Sequence, residues 1–319
     1  MSLPSTIGPP AESGTGPRFF LMGHLPLYAA LLFLLMLFWS GARAWREPVG
    51  GGPSPAAAWE TAGSLRAGEL VVLVLAVMLA AVLLQPLQLP LIRLLEGGRP
   101  RLPGAGATRR RQLARKRSWE AAAALPPDGV LAPEQVQRAG AAGHELRRRF
   151  PLPDHLVTPT ALGNALAAIG DRAGRPYGLD AVAAWPRLYS VLGEQHRALV
   201  DDRRDTVDTA ARMCAVMALT APVSAVLLAR SGWWLALALV PLALSWISYR
   251  GAVQAALAYG ESVQVAFDLH RFDLLAALRL AAPAGQADER ALNVQLSDLW
   301  RQGVPLDPAL RYSLNGDAE

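Results

Sequence analysis

Six cationic side chains stand within nine residues at 109–117, where the chain reads RRRQLARKR: Arg109, Arg110, Arg111, Arg115, Lys116 and Arg117. A run this dense attracts anions. Immediately beside a membrane helix, such a cluster is worth up to about 1 kcal/mol per residue against anionic phospholipid. Two other readings stand beside that one: the cluster only enforces topology, or it binds nucleic acid. A segment tethered this near a membrane meets lipid first, so nucleic acid is not expected as a partner. Arg147-Arg148-Arg149 repeats the theme more weakly. A second group of titratable residues runs Asp268-Leu269-His270-Arg271-Phe272-Asp273, and within it Asp268, His270 and Arg271 are the candidates for a chemical site. On a helix His270 falls with the apolar stripe, while Asp268 and Arg271, three apart, pair with each other. That pattern describes a packed histidine beside a salt-bridged surface. The third group lies in apolar sequence: Gln85 and Gln88 in QPLQLP, and Thr220 beside Pro222 and Ser224. Polar side chains there line a pore, meet a neighbouring helix, or mark a helix end at the headgroups.

Catalytic signatures are lacking. The histidines are His24, His144, His155, His196 and His270, with no HExxH and no close HxH pair. No dinucleotide, P-loop or nucleophile-elbow motif occurs. Asp201-Asp202-Arg203-Arg204-Asp205 reads as an alternating-charge helical face, not a metal site. The single cysteine, Cys214, excludes a disulfide framework and a cysteine zinc site. No cofactor, metal or catalytic residue is implied.

The elements that must position these groups are dominated by apolar runs. The chain has 319 residues, 52% hydrophobic and only 18% charged, with a mean hydropathy of +0.22. Soluble domains carry about 25% charged residues. Four stretches approach the ~20 apolar residues that span a bilayer: about Phe19–Trp39, Leu70–Leu91, Ala210–Ala229 and Trp233–Ile247. The last two form a hairpin across Arg230-Ser231-Gly232. The first is longer than the 7–15 apolar residues of a cleaved signal, although Arg18 and Ala42-Arg43-Ala44 fit one. Residues 96–205 hold 18 basic and 12 acidic residues, a balance of +6 against +5 for the whole chain. The positive-inside rule therefore places this insert and both termini in the cytoplasm, in an inner (plasma) membrane protein with multiple passes.

The expected fold is all-α: an integral membrane protein with four transmembrane helices and a cytoplasmic helical domain. Residues 1–17 form a disordered tail, and 18–95 carry helices 1 and 2 with an outer loop at 40–69, flexible at 48–58. The cytoplasmic insert is 96–205, the second hairpin 206–250, and the C-terminal helices and tail 251–319. Within the insert, helices are predicted over about 109–124 and from Pro133 to Arg149. A third has Thr158 as N-cap and Pro159 at its first position. A fourth starts at Asp180 and is interrupted at Trp185-Pro186. Helix resumes at Arg187 and continues after Leu199 into the third span. Beyond the fourth span, Tyr259, Val263, Phe267, His270, Leu274 and Leu278 share one face of a helix that runs to about Leu280. A last helix covers about Asp288–Trp300.

Several strings together resemble a family of four-pass membrane proteins from GC-rich bacteria with no assigned activity. These are Ile92-Arg93-Leu94-Leu95-Glu96-Gly97, Leu162-Gly163-Asn164, Tyr177-Gly178-Leu179-Asp180 with Trp185-Pro186-Arg187-Leu188, and Phe267-Asp268-Leu269-His270-Arg271. The resemblance covers about 60–280 and implies the same layout, with no catalytic residues. The four-pass layout alone also resembles bestrophin-type channels, by topology only. The expectation is a non-enzymatic protein whose cytoplasmic domain binds a protein partner or anionic phospholipid at the bilayer surface. The alternatives are a homo-oligomeric channel using Gln85, Gln88 and Thr220, and a lipid-modifying enzyme using Asp268, His270 or nearby acids.

Overall fold

The computed structural model describes residues 17–42, 53–98, 104–126, 132–308 and 310, with backbone alone at 17–24 and 84–89. The chain is all-α, and no β-strand occurs among the described residues. The helices are α1 (Pro17–Trp39), α2 (Pro55–Ser64), α3 (Ala67–Leu95), α4 (Ala105–Ala123), α5 (Pro133–Arg149), α6 (Ala161–Arg172), α7 (Ala181–Val191), α8 (Glu194–Leu227), α9 (Leu239–Ala277) and α10 (Gln286–Gln302). Short 3-10 turns occupy Asp154–Leu156, Arg175–Tyr177 and Gly232–Ala238.

Among the described residues two helices are long and apolar enough to cross a membrane: α8, with 34 residues, and the run Gly232–Ala277, with 46. Helix α2 and Ala67–Leu83 of α3 pass that test only together, across a bend of 113°. The apolar helix Leu25–Trp39 is shorter. Hydropathy alone counts four segments; the first two fall in α1 and α3. The tail expected at 1–17 lies outside the described residues except for Pro17, which opens α1.

Local chemistry corrects four helix boundaries. Residues 55–58, expected in a flexible loop, are helical. Ser54 Oγ accepts from Ala57 N at 3.3 Å and Pro55 takes the first helical position, a strong start signal. Thr160, not Thr158, caps α6, its hydroxyl accepting from Gly163 N at 3.1 Å. Thr158 is instead bound by Asn164, whose Oδ1 accepts from the Thr158 backbone at 2.6 Å and from its hydroxyl at 3.1 Å. Pro186 does not interrupt α7, which continues to Val191. Its missing N–H costs the single carbonyl one turn back, and the break comes at Leu192-Gly193. The segment expected as a fourth span opens as a 3-10 turn at Gly232–Ala238 before α9 begins.

The chain divides into two compact units, one from Glu96–Val207 and Val253–Glu319, the other from Gly14–Leu95 and Asp208–Ala252. The second is packed by small residues. Ala30 and Ala81 meet Leu27, Val216 and Met217, and a further cluster joins Leu37, Ala42 and Leu228. Close approach of this kind, not hydrophobic driving force, holds helices together in lipid. Ser245 Oγ donates to the Cys214 carbonyl at 3.0 Å across the α8–α9 hairpin.

The first unit has an aromatic core. Trp185 is 1% exposed and stacks on Phe267 at 6.1 Å, with Tyr189 at 5.9 Å. Tyr259, Val263, Phe267 and Leu274 are buried, as their spacing demands. His270 and Leu278, on the same stripe, are half-buried. On α10, Leu292 and Leu296 join Leu275 and Leu280.

Candidate functional site

The basic cluster of the sequence lies on α4, and the fold splits it in two. Arg109 turns inward: its Nε donates to the Val157 carbonyl at 2.8 Å and its Nη2 to the Asp154 carbonyl at 2.7 Å. Lys116, two turns on, is only 2% exposed. Its ammonium donates to the Leu152 carbonyl and to Asp154 Oδ1, both at 2.6 Å. These two cations fasten α4 to the 152–157 segment, where the Leu152 and Val157 carbonyls flank the 3-10 turn and need donors. Neither is available to a lipid surface, which corrects the sequence reading for Arg109 and Lys116.

Arg110, Arg111, Arg115 and Arg117 are exposed. At 100° per residue they fall within one side of α4, about 160° wide. The other residues on that side are Ala107, Ala114, Ser118, Ala121 and Ala122, all small and all exposed. The one acid on the helix, Glu120, lies about 60° beyond Arg117, outside that side, and is 3.6 Å from the Lys116 ammonium. The Lys116 hydrogen bond and charge hold the Asp154 carboxyl below the usual aspartate range, so it too is spent inward.

Arg148 and Arg149 also have internal partners. Arg149 Nε donates to Glu145 Oε2 at 2.6 Å, and Arg148 reaches Glu145 at 3.0 Å and Glu261 at 2.9 Å. Burial, with Arg147 and Arg148 beside it, lowers the pKa of Arg172.

Asp268 and Arg271 both meet Tyr177, while His270 does not join them. Asp268 Oδ1 accepts from Tyr177 Oη at 2.7 Å. Arg271 Nε donates to Glu289 Oε1 at 2.8 Å, and its guanidinium lies 4.3 Å from the Tyr177 ring centroid. Arg271 meets Asp268 only through the Asp268 backbone carbonyl, not as the side-chain pair expected from the i,i+3 spacing. Burial and the carboxylate acceptor push the Tyr177 hydroxyl up to about 12. His270 faces away from this network, toward Asp273 and His196.

Helix α10 supplies partners that the sequence reading did not single out. Glu289, Asn293 and Ser297 recur every four residues and are buried. Asn293 Nδ2 donates to the Tyr177 carbonyl at 2.9 Å, and Ser297 Oγ accepts from Asp180 N at 2.9 Å. That spacing of short polar side chains beside Leu292 and Leu296 was the available signal. The held loop, Tyr177–Asp180, has Gly178 at φ +78, and a Cβ there would strike the Arg290 backbone. Asp180 caps α7 by accepting from Ala183 N at 3.1 Å.

Beside this loop opens a cleft of about 570 Å³. Its floor is apolar and includes Leu166, Leu179 and Val182; Arg175, Arg290 and Arg301 are among its charged lining residues. Arg301 is paired with Asp180 at 2.5 Å and Arg175 with Asp171. Glycine lets the 96–97 segment reach this region, since a Cβ on Gly163 would overlap the Glu96 carbonyl and the Thr158 hydroxyl.

Thr220 is buried, and its hydroxyl donates to the Val216 carbonyl one turn back at 2.8 Å. The side chains of Gln85 and Gln88 lie outside the described residues. No group of three or more His, Cys, Asp or Glu that could hold a metal occurs among the described residues. No family model, curated protein or solved structure matches the chain.

Proposed function

We propose that this chain is a four-pass inner-membrane protein whose helical unit, on the cytoplasmic side, binds the anionic membrane surface through the arginine face of α4. The observation that carries the reading is the sorting of the six cations. The two that could have been neutralised by the fold are inside, and the four that remain share one face with small residues and no acid. A flat face of arginine and alanine suits a sheet of phosphate groups, each arginine contributing up to about 1 kcal/mol near the surface. Helix α4 begins ten residues after α3 ends, so the tether is short. A binding role also suits Asp268 and Arg271, which are engaged with Tyr177 and Glu289.

The test uses the full chain in nanodiscs. Hydrogen exchange of α4 is compared between phosphatidylcholine discs and discs containing phosphatidylglycerol. Protection in the anionic discs alone, lost at high salt and in the Arg110→Gln/Arg111→Gln/Arg115→Gln/Arg117→Gln variant, is the expected result. Equal exchange in both discs overturns the reading.

A further inference from the structure

Within the first unit α8 and α9 run antiparallel, as the contacts Arg204–Tyr259 and His196–His270 show. At the second of these, two imidazoles meet edge to face, with ring centroids 4.8 Å apart. His270 Nδ1 lies 2.7 Å from Asp273 Oδ2, one turn along the same helix. A carboxylate only accepts, so this contact holds the proton on Nδ1 and leaves Nε2 of neutral His270 as a bare lone pair. That lone pair faces His196 Nδ1 at 3.3 Å.

Two imidazole nitrogens bound to one tetrahedral metal at about 2.0–2.1 Å lie about 3.3–3.4 Å from each other. The gap thus has the width for a shared N–H or for a metal ion. We propose that His196 and His270 form a two-histidine site for a borderline divalent metal of the Zn²⁺ class, with Asp273 as the outer carboxylate that orients His270. A carboxylate behind a ligating histidine fixes its tautomer and raises its basicity. His196 then carries its proton on Nε2 and offers Nδ1 to the metal.

The surrounding charges permit this. The Arg197 guanidinium is turned to the carbonyls of Ser190 and Leu192, both at 3.2 Å, and Arg271 is held by Glu289. Asp273 is 59% exposed and His270 15%, so water reaches the site and completes the shell. With two protein ligands the ion is exchangeable, and it clasps the first turn of α8 to α9.

The test is titration of the full chain, in detergent and without a histidine tag, with Zn²⁺ alone at pH 7.5. One saturable equivalent that raises the thermal midpoint is expected. His196→Gln and His270→Gln should abolish that equivalent, and Asp273→Asn should weaken it about 10–100-fold. Each variant's apo midpoint, held near wild type, shows that folding is intact; Asp273→Asn, which touches neither ligand nitrogen, serves if a histidine variant misfolds. Absence of saturable binding overturns the proposal. So does an equivalent that survives both histidine changes, which would be adventitious binding elsewhere.

Discussion

Lys116 donates to Asp154 at 2.6 Å from a position 2% exposed, in the middle of a helix whose other face carries free arginines. The one lysine of the chain is therefore a structural pin. Lys116→Met keeps the aliphatic stem and strands the Leu152 carbonyl, a loss of about 1–3 kcal/mol. Arg110→Gln, on the exposed face, should stay within about 0.5 kcal/mol. Thermal unfolding of the full chain in detergent distinguishes them. Equal midpoints for both variants would mean that Lys116 is no anchor.

Arginine neutralisation separates binding from folding. Changing Arg110, Arg111, Arg115 and Arg117 to Gln should leave the unfolding midpoint within a few degrees of wild type while removing anionic-lipid protection of α4. Salt near 1 M, where the Debye length is about 3 Å, should reproduce the loss in the wild type. A large midpoint drop would show that these arginines, too, are internal ties.

Gly163 and Gly140 make opposite predictions. A methyl at 163 overlaps the Glu96 carbonyl oxygen, so Gly163→Ala forces backbone apart at a cost of about 1–3 kcal/mol. Gly140, inside α5, has nothing within 4 Å of its would-be Cβ. Gly140→Ala should stabilise by about 0.5–1 kcal/mol through helix propensity. Denaturation of the two variants side by side checks both signs.

What could be read from sequence was what neighbouring residues decide. Pro133 as a first helical position and Pro151 beyond Arg149 bracket α5, and Asp180 after Gly178 announces α7. Hidden were choices made by distant partners. Thr158 and Thr160 are equal caps until Asn164 claims the first. Six cations look alike until the 152–157 carbonyls select Arg109 and Lys116. His196 and His270 sit 74 residues apart, and only the antiparallel register of α8 and α9 brings them together. Asp268 and Arg271 look like a pair at i,i+3, but α10 and Tyr177 provide better partners, because both are bound there with the side chains half-withdrawn from water.

Tyr177 gives the pH prediction. Its hydroxyl is pushed up to about 12 by burial and by the Asp268 carboxylate that accepts its proton. In the unfolded chain a tyrosine ionises near 10. The folded state therefore favours the protonated phenol. The stabilisation is fully present below about pH 10 and is lost as pH rises through 10 to about 12. Spectrophotometric titration of the phenolate band should show a component ionising near 12, and that component should vanish in Tyr177→Phe. The variant should also flatten the fall of stability between pH 10 and 12, at a cost at neutral pH of about 1.5 kcal/mol for a hydrogen bond to a charged acceptor. If Tyr177→Phe leaves both the titration step near 12 and the alkaline slope unchanged, the Tyr177–Asp268 bond does not hold α9 to the Tyr177–Asp180 loop.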